Sequence, residues 1–294
     1  MNKVGFIGVG IMGKSMVRNL MKAGFELHIY ARTKSKVEDV IDEGAQFHES
    51  IKDCVQDCDA VITIVGFPQD VEEVYFDEGN ILDSAKEGAY LIDMTTTSPQ
   101  IAEKIYAEGT KRGFHVMDAP VTGGDTGAKA GTLSILVGGE KEDYEACMPL
   151  FEAMGTNINY QGKAGCGQHC KLANQIMIAG TLSGVCEALT YAKEQGLDPD
   201  VFMKSVATGA AGSKQLDTFG PKILKDDYAP GFFMKHFIKD MKLALIEANR
   251  KGLSLDVLSM VLANYEELEQ EGYGDLGTQA LMKFYDEEHR NMEE

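Results

Sequence analysis

Lys171 and Asn174 are two side chains that could act together on one small molecule. They lie one turn apart in a predicted long helix, and Gln175 and Ile178 share their face. The apolar residues of the same helix form a different face. A lysine ammonium can protonate an oxygen atom while an amide orients it, so the pair suits proton transfer to a carbonyl. A solvated lysine on an early helical turn is the alternative.

A glycine-rich turn near the start of the chain could hold a nucleotide. Gly8, Gly10 and Gly13 follow a short apolar stretch and open a helical pattern. In that order the first glycine allows a tight turn, the second lets the backbone approach a pyrophosphate, and the third lets the helix pack on the strand. A chance glycine turn is the alternative. We predict that the cofactor contacts of this turn are Gly8, Val9, Gly10, Ile11, Met12 and Gly13.

Two later segments place polar groups where a substrate could bind. Thr122, Gly123 and Gly124 follow a predicted strand and offer a hydroxyl and unobstructed backbone N–H groups, which suit a carboxylate. Lys239 and Asp240 belong to a basic and aromatic cluster, in which the carboxylate could orient the ammonium. Taken alone, the first segment could be an ordinary turn and the second a solvated helix start.

Strand and helix patterns alternate over the first 160 or so residues, as a doubly wound parallel sheet requires. Strands are predicted over residues 3–7, 26–30, 60–65, 90–93, 115–118, 132–137 and 156–160. Helices are predicted over residues 14–23, 35–43, 99–112 and 141–154. Beyond them a long helix extends to about Gln195, and almost no strand signal follows. The sequence therefore predicts an α/β Rossmann-type domain over 1–163, joined by the long helix to an all-α domain over 164–294.

Composition narrows the choice of partners and compartment. The net charge of −18, from 46 acidic and 28 basic residues, disfavours nucleic acid and anionic membranes. No run approaches the ~20 apolar residues that span a bilayer, and no signal-peptide pattern is seen, so we expect a cytoplasmic protein. Cys166 and Cys170 flank His169, but no second ligand pair follows at a suitable spacing, so no metal site is predicted.

The end of the second predicted strand bears on the choice of cofactor. An acidic residue there would hold the ribose 2′-hydroxyl of NAD, whereas an arginine accommodates the 2′-phosphate of NADP. The chain has no acid at this turn and offers Arg32, Thr33 and Lys34. We therefore predict NADP, with NAD as the alternative.

These motifs, in register over about 240 residues, resemble the β-hydroxyacid dehydrogenase family. That family includes 3-hydroxyisobutyrate dehydrogenases, tartronate semialdehyde reductases and glyoxylate/succinic semialdehyde reductases. The matching segments are the cofactor turn at 6–13, the carboxylate motif at 118–124, the segment 165–175 and the late Lys239-Asp240 pair. The resemblance covers essentially the whole chain.

The resemblance implies a role for each matching residue. Lys171 is the general acid/base, and Asn174 assists it. The implied substrate contacts are Thr122, Gly123, Gly124, Phe232 and Asp240. Further cofactor contacts are Arg32, Thr33, Val65, Phe67, Thr95 and Lys239.

The implied reaction is reversible hydride transfer between a nicotinamide cofactor and a short hydroxyacid or its semialdehyde or oxo acid. The substrate is then a small carboxylate-bearing aldehyde or alcohol, and the enzyme a homodimer or homotetramer. The chain departs from the family at three positions. The family usually has Ser where this chain has Thr122, and it often has Asn where this chain has Gln175. It often has Asp or Asn where this chain has Ala31. Lys214 lies in a stretch that shapes the substrate pocket in relatives, and it could serve a second carboxylate or be solvated.

Two other functions stay open. Imine reductases resemble this chain in architecture, but they usually carry Asp or Tyr where Lys171 stands. A non-catalytic nucleotide-binding module would be expected to have lost this lysine. A 6-phosphogluconate dehydrogenase would need a much longer helical domain.

Overall fold

Nine strands form one sheet in the computed structural model, which describes residues 1–285. Their bounds are β1 (Lys3–Ile7), β2 (Glu26–Tyr30), β3 (Gln46–Phe47), β4 (Ala60–Thr63), β5 (Tyr90–Asp93), β6 (His115–Asp118), β7 (Val121–Thr122), β8 (Leu133–Gly138) and β9 (Gly155–Gly162). The order across the sheet is β3-β2-β1-β4-β5-β6-β8-β7, and β9 pairs with β8. Strands β1, β2, β5 and β6 have the predicted bounds.

The sheet is parallel from β3 through β6, as predicted, but β8 runs antiparallel to β6 and β7. The physical reason is the length of the connection. A parallel crossover needs about a dozen residues or more, and only residues 123–132 separate β7 from β8. The doubly wound parallel sheet thus has antiparallel pairs at this edge, which the sequence did not indicate, although β9 is again parallel to β8.

Helices of the first part of the chain alternate with these strands. They are α1 (Ile11–Lys22), α2 (Glu38–Asp42), α3 (Ile51–Val55), α4 (Pro68–Phe76), α5 (Ile81–Ser84), α6 (Pro99–Lys111), α7 (Gly124–Ala130), α8 (Lys141–Ala146) and α9 (Met148–Met154). The single helix predicted over 141–154 is two helices, because Pro149 lies in the first turn of α9 and cannot continue α8. The helix predicted over 35–43 is a 3₁₀ turn, Lys34–Lys36, followed by α2.

Both faces of the sheet are covered, as a doubly wound fold requires. Successive residues of a strand face opposite sides, and here they join different hydrophobic clusters. Phe6 packs in the cluster that includes α1 and α9, whereas Ile7 packs in the cluster that includes α3 and α4. On β5, Ile92 packs in the same cluster as Phe6, and Leu91 packs in the same cluster as Ile7. The Rossmann-type fold is therefore confirmed.

The remaining helices are α10 (Cys166–Glu194), α11 (Pro199–Val206), α12 (Lys214–Ile223), α13 (Met234–Arg250) and α14 (Asp256–Gln270), followed by 3₁₀ segments at Tyr273–Asp275 and Thr278–Tyr285. A third cluster of buried apolar residues joins them. Within residues 172–285, β-pairing is limited to a bridge between Phe233 and Gly277. The all-α character of this part is confirmed. Residues 286–294, the end of the predicted second domain, lie outside the described residues.

The chain divides into two units, Met1–Lys171 and one that begins at Leu172, so the division falls within α10. By length and mean hydropathy alone, α10 could cross a membrane, although 44% of its most apolar window is buried in the structure. Core helices of soluble proteins pass the same test. Leu172, Leu182 and Leu189 of α10 belong to the buried cluster of the second unit, so we interpret α10 as a core helix.

Candidate functional site

The glycine turn between β1 and α1 fits a phosphate group. Gly8 has a φ of +99°, and a Cβ there would lie 2.1 Å from the carbonyl oxygen of Ile64, so only glycine fits. At Gly10 an added Cβ would meet no atom within 4 Å. The residue at the capping position of α1 is Gly10, which has no side chain to act as a cap, and the first turn of the helix holds no acidic residue. The backbone N–H groups of this turn are therefore suited to the pyrophosphate of a dinucleotide.

The other residues of this turn have different surroundings. Val9 is buried and Met12 packs against the core of the first unit, whereas Ile11 is half exposed. A Cβ at Gly13 would lie 2.1 Å from the carbonyl oxygen of Gly8. The third glycine thus permits the close approach of α1 to β1 that the sequence predicted.

Arg32 follows β2 and has an acidic partner, Asp70, in the first turn of α4. Its Nη1 lies 3.2 Å from Oδ1 of Asp70, and 73% of the Arg32 side chain is exposed. Asp70 also accepts a hydrogen bond from the backbone N–H of Phe67 at 2.9 Å, at the start of α4. Thr33 precedes the 3₁₀ turn that follows Arg32. The turn after β2 contains no acidic residue, as predicted, but the fold places Asp70 beside it.

A buried carboxylate organises the loops at the ends of β4 and β5. Asp93 accepts hydrogen bonds from the hydroxyl of Thr63 at 2.8 Å and from the backbone N–H of Thr95 at 3.1 Å. The hydroxyl of Thr95 accepts a hydrogen bond from the backbone N–H of Val65 at 3.0 Å. Val65 and Thr95, both predicted cofactor contacts, are thus joined directly. Burial raises the pKa of Asp93 to about 6, although these hydrogen bonds oppose the shift.

A second buried carboxylate, Asp118 at the end of β6, caps helix α10. Gly165, which precedes the helix, has no side chain to act as a cap. Its backbone N–H donates to Oδ1 of Asp118 at 2.7 Å, and the backbone N–H of Gln168 donates to Oδ2 at 2.8 Å. Burial raises the pKa of Asp118, and the two hydrogen bonds oppose that rise. The carboxylate satisfies N–H groups that the helix itself leaves unpaired.

Gln168 ties the same helix to the loop after β5. Its side-chain Nε2 donates to the carbonyl of Thr95 at 2.8 Å, and its Oε1 accepts from the backbone N–H of Thr97 at 3.0 Å. The side chain is fully buried. Thr95 is therefore held by contacts to its N–H, its hydroxyl and its carbonyl.

Gly167 allows α10 to begin this close to the sheet. A Cβ at Gly167 would lie 2.4 Å from the carbonyl oxygen of Leu136 and 2.8 Å from Oδ2 of Asp118. Any larger residue would displace the first turn of the helix. Lys171, one turn further along, is only 7% exposed. Lysine side chains are seldom buried to this extent, so Lys171 is a candidate catalytic residue.

In the second unit a continuous line of polar contacts starts at Asn174. Nδ2 of Asn174 donates to Oε1 of Gln175 at 2.8 Å, and Nε2 of Gln175 donates to Oδ2 of Asp240 at 2.7 Å. The other oxygen of Asp240 lies 3.0 Å from Nζ of Lys239. We call these four residues the polar chain. It confirms that the Asp240 carboxylate lies against the Lys239 ammonium, as the sequence suggested.

The predicted carboxylate contacts are consecutive at the end of a strand. Thr122 ends β7 and pairs with Ser134 of β8. Thr122 and Gly124 are half-buried, and Gly123 is exposed. The Thr122 hydroxyl and the two glycine N–H groups thus lie on adjoining residues, although their role stays a prediction.

Phe232 is half-buried and held by the end of the described chain. Its carbonyl accepts a hydrogen bond from the N–H of Thr278 at 3.2 Å, and its ring packs edge-on against Phe237, with 6.0 Å between the ring centroids.

Lys214 is exposed at the first position of α12, after the capping residue Ser213. Among residues 1–285 no group of three or more His, Cys, Asp or Glu side chains could hold a metal.

Comparison with known proteins identifies the family. Residues 3–162 match the NAD-binding domain of 6-phosphogluconate dehydrogenase, and residues 165–285 match the domain described as NAD-binding of NADP-dependent 3-hydroxyisobutyrate dehydrogenase. The chain belongs to the β-hydroxyacid dehydrogenase family. This dehydrogenase is therefore an oxidoreductase that uses a nicotinamide cofactor.

Individual relatives cover the dehydrogenase almost end to end. The NAD-dependent L-serine dehydrogenase of Pseudomonas aeruginosa is 34% identical over 97% of this chain and 98% of its own. The 2-hydroxy-3-oxopropionate reductase of Escherichia coli is 37% identical over 86% of each chain. A solved structure of Mycobacterium tuberculosis 3-hydroxyisobutyrate dehydrogenase with L-serine has a TM-score of 0.88 and 26% identity, covering 96% of this chain and 98% of that one.

Four residues with buried polar contacts to predicted site residues, or to the helix that carries Lys171, were not named as site residues from the sequence: Asp93, Asp118, Gln168 and Gln175. Asp93 and Asp118 end predicted strands, and a carboxylate at the end of an apolar strand was the available signal. Gln168 and Gln175 precede and follow Lys171 at helical spacing, but nothing in the sequence shows their partners. Those partners are 71 and 65 residues away along the chain.

The raised pKa of Asp93 predicts a dependence of stability on pH. Between its ordinary value of 3.8 and about 6, the folded dehydrogenase holds a proton that the unfolded chain has lost. The contribution of Asp93 to stability therefore falls as pH rises through this window. Asp93→Asn removes the effect, so the Tm of the variant should rise relative to wild type between pH 5 and pH 7, by the equivalent of about 1 kcal/mol.

Thermal unfolding at pH 5, 6 and 7 measures this difference. Asp83→Asn is the matched control, because Arg112 lowers the pKa of that exposed carboxyl, so its titration lies below the range. A difference between Asp93→Asn and wild type that is constant from pH 5 to pH 7 would contradict the assignment.

Proposed function

We propose that this enzyme interconverts a short β-hydroxyacid and its semialdehyde or oxo acid, prefers NADP, and uses Lys171 as general acid/base. The observation that carries the proposal is the position of Lys171. This buried lysine lies one turn beyond a helix cap that is fixed by Asp118 and tied through Gln168 to Thr95. A proton donor fixed in this way can act on a substrate with little loss of orientation.

A nicotinamide cofactor, when bound, would supply the chemistry of hydride transfer. In reduction Lys171 donates a proton to the substrate oxygen as it gains charge, and in oxidation it takes that proton from the hydroxyl. Its ammonium also stabilises the developing negative charge. Asn174, one turn along the helix, orients the same oxygen. Thr95, whose three polar groups are held by Val65, Asp93 and Gln168, would support the nicotinamide.

Thr122, Gly123 and Gly124 bind the substrate carboxylate in this proposal. A hydroxyl and two adjoining backbone N–H groups suit a planar anion. The named substrates of two relatives, L-serine and 2-hydroxy-3-oxopropionate, share a carboxylate and an oxygen on the β-carbon. We therefore propose an acid of three or four carbons that carries its reacting oxygen at that position. Phe232 forms part of the apolar wall around it.

Lys171→Ala tests the chemistry. Because general acid/base catalysis typically contributes 100-fold or more, kcat should fall by at least about 100-fold, while NADPH binding stays nearly unchanged. Initial rates with NADPH and glyoxylate, succinic semialdehyde, tartronate semialdehyde and methylmalonate semialdehyde provide the measurement. NADPH fluorescence titration gives the Kd.

Lys193→Ala is the matched control, an exposed lysine in the last turn of the same helix. It should behave as wild type. Turnover by Lys171→Ala at the wild-type rate would refute the proposed role, and inactivity of the wild-type enzyme on all four substrates would favour imine reduction or a binding module.

Arg32 is the proposed contact for the 2′-phosphate of NADP. Its ion pair with Asp70 is exposed, and such pairs contribute only about 0–1 kcal/mol, so a phosphate can displace Asp70 at small cost. NAD remains the alternative, since Asp70 adds an acid near this turn and one relative is NAD-dependent. Lys239 supplies a second cation that we assign to the cofactor.

Arg32→Ala should raise the KM for NADPH by about tenfold or more while changing the KM for NADH little, because only NADPH carries the phosphate. Steady-state kinetics with both cofactors measure the ratio. Arg112→Ala, which removes another exposed arginine paired with an aspartate, is the control. Equal changes for the two cofactors would remove Arg32 from cofactor selection.

We also propose that the enzyme forms homodimers or homotetramers through the second unit. Several large apolar side chains are exposed there, including Met177, Tyr191, Val257 and Met260. Helices α10 and α14 adjoin at this surface, since a Cβ at Gly180 would lie 3.6 Å from Cγ1 of Val257. Exposed apolar surface of this kind is typical of an interface between proteins.

A further inference from the structure

Asp70 is an acidic residue that contacts two of the predicted cofactor residues. Its Oδ1 atom lies 3.2 Å from Nη1 of Arg32, and its Oδ2 atom accepts the backbone N–H of Phe67 at 2.9 Å. The Asp70 side chain is 18% exposed, whereas the Arg32 side chain is 73% exposed. Asp70 is therefore the fixed member of the ion pair, because a backbone contact and burial hold it, and Arg32 is the member that can change partner.

The ion pair bears directly on the choice between the two cofactors. An enzyme that uses NAD commonly carries an acid at the end of the second strand, and this chain has Ala31 there. Asp70 brings a carboxylate to the same turn from 38 residues further along the chain. A cofactor without a 2′-phosphate thus meets an arginine whose charge is already neutralised. A cofactor with that phosphate brings a second anion to the same guanidinium.

We infer that Asp70 is a specificity-determining residue, which competes with the 2′-phosphate for Arg32 and so lets the enzyme bind NAD as well as NADP. This inference rests on the proposed function, in which Arg32 is the contact for that phosphate. On binding NADP, Arg32 exchanges the carboxylate for the phosphate, while Asp70 keeps its contact to Phe67 at the start of α4. On binding NAD, the ion pair is retained. Asp70 therefore weakens the binding of NADP selectively.

The exposure of the pair sets the size of the effect. Breaking an exposed ion pair changes a binding constant by up to about fivefold. Because the interaction is electrostatic and reached by solvent, dissolved salt weakens it. The penalty on NADP is thus expected to be small at high ionic strength and largest at low ionic strength.

Asp70→Asn tests the inference, because asparagine keeps an oxygen that can accept the N–H of Phe67 but carries no charge. At low salt we expect the Kd of NADPH to fall by about fivefold and the Kd of NADH to change by less than about twofold. Adenosine 2′,5′-bisphosphate and 5′-AMP, which lack the nicotinamide, should differ in the same way by calorimetry. Raising the salt from about 0.05 M to about 0.5 M should reduce the gain to less than about twofold.

Glu72→Gln is the matched control. Glu72 lies on the same helix, pairs with Lys104 at 3.1 Å, and its replacement changes the net charge of the protein by the same amount. It should leave the Kd of all four ligands within about twofold of wild type. An equal gain in Glu72→Gln and Asp70→Asn would assign the effect to the overall charge of −18 and overturn the inference.

The double variant Arg32→Ala/Asp70→Asn provides the second readout. Because Asp70 acts through Arg32, removal of its charge should improve NADPH binding by less than about twofold in the Arg32→Ala background. If Asp70→Asn improves NADPH binding equally with and without Arg32, the two residues act independently, and that result would also overturn the inference.

The outcomes separate this inference from the proposed function. If Arg32→Ala weakens NADPH selectively while Asp70→Asn leaves the ratio of the NADPH and NADH Kd values at that of wild type, the competition fails and the proposed contact of Arg32 stands. If Arg32→Ala changes both cofactors equally, the proposed contact itself fails, and the inference fails with it.

Discussion

The capping of α10 by Asp118 is the interaction on which the candidate site depends. A buried carboxylate is costly, and burial raises its pKa, but two backbone N–H groups at an electropositive helix end favour its ionised form. The contact fixes the first turn of α10 to the end of β6. Lys171 lies on the next turn, so its position relative to the sheet of the first unit follows from this cap. The cap also requires glycine at position 167, because any side chain there would collide with Leu136 and Asp118.

The same principle recurs at the two other polar centres. Asp93 holds Thr63 and Thr95 at the ends of β4 and β5, and Gln168 connects Thr95 to α10. In the second unit Asp240 orients Lys239 on one side and Gln175 on the other. In each case a buried carboxyl group accepts hydrogen bonds from the donors of its neighbours, and it can only accept them when it is ionised. Each carboxylate therefore fixes the orientation of the groups that are proposed to meet cofactor or substrate.

The fold was largely predictable from the sequence, because its elements have local causes. The period of apolar residues predicted β1, β2, β5 and β6 at their observed bounds, and the glycine turn placed α1 directly after β1. The antiparallel β8 was missed, since it depends on the length of a connection rather than on the strand itself. Lys171 and Asn174 could be named because both lie on one helix. Their supports could not be named, because Asp118 and Gln168 are 50 residues apart and Gln175 and Asp240 are 65 apart. Asp70 beside Arg32 was missed for the same reason, with 38 residues between them.

Gln168 and Asp118 are proposed to place Lys171 for proton transfer, and the rate of single-turnover hydride transfer in Gln168→Met measures the contribution of Gln168. Methionine keeps the volume of the side chain but removes both hydrogen bonds to the loop after β5. We expect the transfer rate, followed by NADPH absorbance, to fall by at least about tenfold while the Kd of NADPH is nearly unchanged. Gln168→Glu, which keeps the acceptor for Thr97 but sets a carboxylate against the Thr95 carbonyl, should also be slow. A transfer rate equal to that of wild type in both variants would show that Gln168 does not place Lys171 for proton transfer.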